Sequence, residues 1–127
     1  MKKALTLLLF GYFLVACSMT SKQSDLDVSL LQYEKGWRWN EIGVVLQFHR
    51  VGSYDVASIN HYENIRIGDY QVLSSRPLEG GRILQQVSLS YHYRDDVRIK
   101  NTTFDVIWGY DSSHKRWYVE SNLPIIK

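Results

Sequence analysis

The apolar positions of this chain change period part-way along it. Leu26, Leu30, Tyr33 and Trp37 recur at spacings of four, three and four, which places them on one face of an α-helix predicted over 27–39. Asp25 or Asp27 is available to cap its start, and Glu34 and Lys35 fall on the solvent side. Asn40 reads as a break and as the N-cap of a second helix, with Glu41 well placed against its dipole. Ile42, Val45, Leu46 and His49 carry a helical stripe to Arg50, and Gly52-Ser53 ends it. Val56, Ile59 and Tyr62 are spaced by three, a pattern that fits either a short helical turn or a loop over 54–64.

From Ile65 onward the period is two. Tyr70 and Val72 lead a first strand over Ile65 to Ser75, and Pro77-Leu78-Glu79-Gly80-Gly81 supplies the turn. In the second strand Ile83, Val87, Leu89, Tyr91 and Tyr93 point one way, while Arg82, Gln86, Ser88, Ser90 and His92 point the other. After Asp95-Asp96 a third strand, Val97 to Tyr110, carries Phe104, Val106, Trp108 and Tyr110 on one face, and a fourth, Arg116 to Ser121, alternates Trp117 and Val119 with Tyr118 and Glu120. Leu123-Pro124-Ile125-Ile126 forms an apolar tail set to press on the core. Helices first and a meander of hairpin-linked strands afterwards predict one α+β domain over 28–127, with N-terminal helices packed on a curved four-stranded antiparallel sheet.

The segment before the domain has a different character. Lys2 and Lys3 precede the apolar run Ala4 to Val15, which falls short of the roughly 20 residues a membrane-spanning helix needs and matches the central region of a signal peptide. It ends in Leu14-Val15-Ala16-Cys17, which resembles the lipobox of bacterial lipoproteins. That resemblance implies recognition through Leu14 and Ala16, transfer of diacylglycerol to the Cys17 thiol, and cleavage before Cys17, so that 1–16 is removed. Each buried methylene of such an anchor contributes ~0.8 kcal/mol, and two or three acyl chains hold far more firmly than one. Ser18, where enterobacterial sorting reads Asp as a retention signal, points to the outer membrane facing the periplasm. The polar stretch 17–27, which includes Ser-Met-Thr-Ser-Lys-Gln-Ser, lacks apolar periodicity and reads as a tether.

Removal of Lys2 and Lys3 takes the 15 basic side chains to 13, equal to the 13 acidic ones. The mature domain is therefore near-neutral and lacks the positive footprint of a nucleic-acid binder. Its single cysteine excludes an intramolecular disulfide and, once lipidated, is lost as a nucleophile.

Several local strings carry a second resemblance. Tyr33-Glu34-Lys35-Gly36-Trp37-Arg38-Trp39-Asn40, Tyr70-Gln71-Val72, Trp108-Gly109-Tyr110, Arg116-Trp117-Tyr118-Val119-Glu120 and Leu123-Pro124 are similar to strings in uncharacterised proteobacterial lipoproteins of the nuclear-transport-factor-2-like, cystatin-related cone fold. The resemblance covers residues 26–126 and implies a sheet curled around the helices, with Trp37, Tyr91, Trp108 and Trp117 either lining a concave pocket or filling the core. The fold hosts isomerases, dehydratases and binding modules alike, so it does not name an activity.

The chemistry in the chain is sparse. An isomerase of this type needs an Asp base with a Tyr and a neutral Asp in one pocket, yet Asp105 is out of phase with Phe104, Val106 and Trp108, and Asp69 and Tyr70 alternate. His49, His61, His92 and His114 are widely spread without metal-ligand spacing. Gly80-Gly81 precedes no helix and so forms no phosphate loop, and no Gly-x-Ser-x-Gly elbow occurs. No catalytic residue, metal or cofactor beyond the covalent lipid is assigned. The polar side of strand two, Arg82, Gln86, Ser88, Ser90, His92 and Arg94, is a solvated face or a protein-docking surface. The expectation is a membrane-anchored lipoprotein with an accessory or structural binding role beside an envelope protein; a carrier of small apolar ligands and an isomerase-like enzyme are the alternatives.

Overall fold

In a computed structural model of the chain, which describes residues 21–50, 53–124 and 126, helix α1 occupies 21–38, followed by α2 (Ile42–Leu46) and α3 (Val56–Glu63). The strands β1 (Ile65–Pro77), β2 (Ile83–Tyr93), β3 (Asp96–Asp111) and β4 (Arg116–Val119) form one antiparallel sheet in the order β1-β2-β3-β4. The fold is α+β, with the helices on one side of the meander.

Helix α1 forms where the stripe predicts it but extends further toward the N-terminus. Residues 21–27, assigned above to the tether, are already helical, and Asp25 and Asp27 lie inside the helix rather than capping it. Leu26 supplies the reason: it is buried as the first rung of the stripe that continues through Tyr33 and Trp37. Gln23 also donates to the Asp27 carboxylate one turn on, at 3.2 Å.

Asn40 is not an N-cap. Its φ of 58° puts it in the left-handed region that ends a helix, and its side-chain carbonyl accepts from the Ile67 backbone N–H at 2.8 Å. Helix α2 then lasts only five residues and its Glu41 cap makes no side-chain hydrogen bond. Instead of continuing to Arg50, the chain straightens so that His49 bridges Val119 in parallel, with the Val119 N–H donating to the Phe48 carbonyl at 2.7 Å. The turn at Gln47 and Phe48, leading into the bridge at His49, lets the adjacent Phe48 and His49 both be buried, and the segment covers the outer edge of β4. The open choice over 54–64 resolves as helix: Asp55 caps α3 by accepting from the Ser58 N–H at 2.8 Å.

The two faces of the sheet follow the period-two reading. Val87, Leu89, Tyr91, Val106, Trp108, Trp117 and Val119 are buried against the helices, while Ser88 opposite Thr103 and Ser90 opposite Asn101 lie on the far side. Gln85 was not placed above; it falls on the buried face and accepts from the Trp108 indole N–H at 3.3 Å. β1 changes phase twice, because Gly68 and Leu73 are extra residues against β2. Its partners to the inward-facing β2 residues are therefore Ile65 and Ile67, then Tyr70 and Val72, then Ser75 and Pro77. β4 stops at Val119, and the Ser121 hydroxyl accepts from the Ile107 N–H at 3.1 Å.

Gly36 sits where α1 passes α2. A Cβ there would stand 2.9 Å from a Val45 methyl carbon and 3.2 Å from the Val45 backbone nitrogen. Gly36→Ala gains about 1 kcal/mol of helix propensity but forces backbone apart in a packed contact, at a cost of about 1–3 kcal/mol. Net destabilisation is expected, read as a lower urea midpoint at unchanged slope.

Candidate functional site

The four aromatics singled out by sequence do not converge on a pocket. Trp37 meets Tyr62 edge-on at 5.5 Å and tilts against Phe104 at 5.9 Å. Trp108, wholly buried, meets Tyr33 at 5.2 Å and Phe48 at 5.6 Å, again edge to face. Trp117 packs on Tyr110 at 5.2 Å, and its indole N–H donates to the Lys22 carbonyl at 3.1 Å. Tyr91 lies beside Tyr93 at 6.2 Å. Trp37 and Trp108 are joined through Tyr33, and all four belong to one buried cluster. Between the helices and β1 there is a cavity of only about 20 Å³, lined by Trp37, Val45, Tyr62 and Ile65 among others, which is room for about one water molecule.

A larger hollow, of about 570 Å³, opens where the 46–50 segment runs beside the β3–β4 hairpin. Its walls include His49, Arg50, Tyr54, His114, Arg116 and Tyr118, with Asp111 at the hairpin end. Each side chain has a local cause. Arg116 and Tyr118 alternate with the buried Trp117 and Val119, so they share the other face of β4. The extended backbone at His49 carries Arg50 onto that face, where its guanidinium carbon lies 4.2 Å from the Tyr118 ring centre. Arg116 donates to the Gln47 carbonyl at 2.6 Å. Asp111 is turned into its own hairpin: one carboxylate oxygen accepts from the Ser113 hydroxyl and N–H at 2.6 and 3.0 Å, and the other pairs with His114 Nδ1 at 2.8 Å. These bonds hold its carboxyl well below the usual carboxylate range.

Beneath the hollow His49 is buried, with Nε2 3.0 Å from the Tyr33 hydroxyl. Burial disfavours the imidazolium and lowers its pKa to about 4, against a smaller opposing effect of the Ser121 backbone. His49 is thus neutral at pH 7, and with its proton on Nδ1 the Tyr33 phenol donates to Nε2. The same burial raises the Tyr33 phenol far above its ordinary value.

The other positions stay dispersed. Asp105 is exposed opposite Gln86. The Asp69 carboxylate is engaged by Arg38 at 3.1 Å, and the same guanidinium donates to the Tyr70 carbonyl at 2.6 Å. His61 Nε2 bonds the Ile126 carbonyl at 2.5 Å. Among the described residues no carboxylate is buried and no group of three or more His, Cys, Asp or Glu side chains could hold a metal. Arg82 pairs with Glu120 and Ser90 donates to Asn101 on the outer face. Leu14, Ala16 and Cys17 lie outside the described residues. Sequence reasoning missed Arg50, Arg116 and Tyr118 as a set; the alternation of Arg116 and Tyr118 about Trp117 was the available signal, and nothing in it pointed to Arg50.

Compared with family models, curated proteins and solved structures, the chain finds no match.

The sign of the His49 shift fixes a pH effect. Its folded pKa lies below the ordinary 6.5, so between about pH 6.5 and 4 only the unfolded chain takes up this proton, and stability falls with pH by up to about 1.4 kcal/mol per unit. His49→Gln should flatten that stretch of the urea-unfolding free energy relative to wild type; identical slopes would show that His49 is protonated equally in both states.

Proposed function

We propose that this chain is a lipoprotein of the bacterial envelope, anchored through acyl chains on Cys17 at the outer membrane facing the periplasm and serving a non-enzymatic accessory or structural binding role. The anchor rests on the lysine pair, the apolar run and Leu14-Val15-Ala16-Cys17. Kinship with the nuclear-transport-factor-2-like fold is part of the proposal and rests on the quoted strings and the order of elements.

One observation favours the accessory role over an apolar-ligand carrier. The space between helices and sheet is occupied by Tyr33, Trp37, Tyr62 and Trp108, leaving about 20 Å³, against the ~300 Å³ or more that a small-molecule pocket needs. An isomerase-like reading lacks support of the same kind, since Asp105 is exposed and the Asp69 carboxylate is bound by Arg38.

Mass spectrometry of the mature N-terminal peptide should find Cys17 carrying diacylglycerol, and Cys17→Ser should move the protein from the membrane to the soluble fraction; an unmodified Cys17 would sink the anchor. Organic extraction of the purified protein should yield no bound lipid at one-to-one stoichiometry, and finding one would replace the accessory role with that of a carrier.

A further inference from the structure

Two arginines, Arg50 and Arg116, line the hollow beside β4 and neither makes an ion pair there with a described residue. Arg38, Arg82 and Arg98 each pair with an acidic side chain, whereas among the described residues Arg50 and Arg116, like Arg66, Arg76 and Arg94, do not; of these, only Arg50 and Arg116 lie by the β3–β4 hairpin. They are held by uncharged contacts instead: Arg50 over the Tyr118 ring, Arg116 on the Gln47 carbonyl. Arg116 and Tyr118 are two residues apart on one face of a strand, about 7 Å along it, and both line the hollow with Arg50. Asp111, the one acid in the lining and the cross-strand partner of Arg116, is turned toward Ser113 and His114, so the hollow carries two arginines against one carboxylate. An oxyanion with several acceptor oxygens, above all a phosphate, suits paired guanidinium forks.

The position of the hollow supplies the occupant. The first described turn of α1 is tied to this end of the molecule, where the Lys22 carbonyl accepts from Trp117 and the Lys22 ammonium lies 4.5 Å from the Tyr110 ring centre. Asp25, Val28 and Ser29 of α1 border a neighbouring hollow of about 530 Å³ that shares Arg116 as a wall. Only four peptide links separate Cys17 from residue 21, and such a length spans at most about 14 Å. An acyl group on Cys17 therefore keeps the β3–β4 end of the domain close to the bilayer surface. The β2–β3 turn, at the other end of β3, is held away from it.

We propose that Arg50 and Arg116 form a phosphate-group site whose occupant is the headgroup of an anionic phospholipid in the anchoring membrane, so that the domain docks with a defined end down. The proposal rests on the lipoprotein reading for its geometry, but its test does not use the anchor. The mature chain carrying Cys17→Ser, exported behind a cleavable secretory signal so that no lipid is attached, is mixed with vesicles of phosphatidylglycerol in phosphatidylcholine or of phosphatidylcholine alone. Binding to the anionic vesicles is expected, and Arg50→Gln with Arg116→Gln should lower partitioning by about thirtyfold, at about a fivefold loss for each cation removed near the surface. Removing the same charge at the opposite end, with Arg66→Gln and Arg94→Gln, should leave partitioning unchanged. The charge-preserving pair Arg50→Lys and Arg116→Lys should bind more than the glutamine pair and less than wild type, which separates lost charge from lost folding and leaves the fork geometry as the difference. Equal loss in both glutamine pairs, or equal binding to both vesicle types, overturns the site. Side-chain NMR shifts of Arg50 and Arg116 with inorganic phosphate but no vesicle binding overturn the membrane as its source, as does retention by an immobilised acidic peptide with no vesicle binding. An unmodified Cys17 in the wild-type protein would end the anchor while leaving these vesicle results to stand or fall independently.

Discussion

The edge-to-face contact between Tyr33 and Trp108 is where the helical layer meets the sheet, and most of what surrounds it follows from that meeting. The ring of Tyr33 also touches Trp37 on its own helix, Phe48 beyond α2 and His49. Each aromatic edge-to-face pair contributes about 0.5–1.5 kcal/mol beyond the area it buries. The geometry matters as much as the energy, because a ring with four such neighbours fixes the angle at which α1 crosses the strands. With that angle set, Arg38 reaches β1 while Lys22 reaches Trp117 on β4, so one helix spans the whole width of the sheet.

The hydroxyl of Tyr33 adds a polar constraint to this apolar centre. A phenol buried this deeply needs a partner, and His49 supplies one only if the chain leaves helical geometry after Leu46. The short α2, the bridge from His49 to Val119 and the position of Arg50 on the face of β4 are therefore one event. The polar hollow at the surface is a by-product of how the core satisfied a single oxygen.

What the sequence made legible was whatever depends on period alone. The stripe Leu26–Leu30–Tyr33–Trp37 and the alternation in β2, β3 and β4 each follow from one element presenting one face to a core. The features that escaped depend on two distant segments meeting. Asn40 looks like a helix start because asparagine caps well; it ends α1 instead because its side chain has the Ile67 N–H to satisfy, 27 residues on. The His49 position fits a helical stripe, and only the edge of β4 explains why the backbone is straight there. In β1 two extra residues reset the phase, so a strict alternation over Ile65 to Ser75 could not be read. The alternation in β2 was clear, yet Gln85 on its apolar side was invisible to a hydrophobicity pattern and visible only once Trp108 needed an acceptor. The aromatics were assigned to pocket or core, and the crowding around Tyr33 decides for core.

The irregular β1 has a consequence if the domain is anchored as proposed. A sheet edge with free backbone groups invites a second strand, and confinement in two dimensions raises the rate at which edges meet. Here the terminal residues of α1 occupy part of that edge, Arg38 on the Tyr70 carbonyl and Asn40 on the Ile67 N–H. The extra residue at Leu73 and the proline at the end of β1 spoil the remainder as a straight template. The helix end thus does double duty as a stopper, and fraying of its last turn would uncover backbone groups for pairing with a second strand.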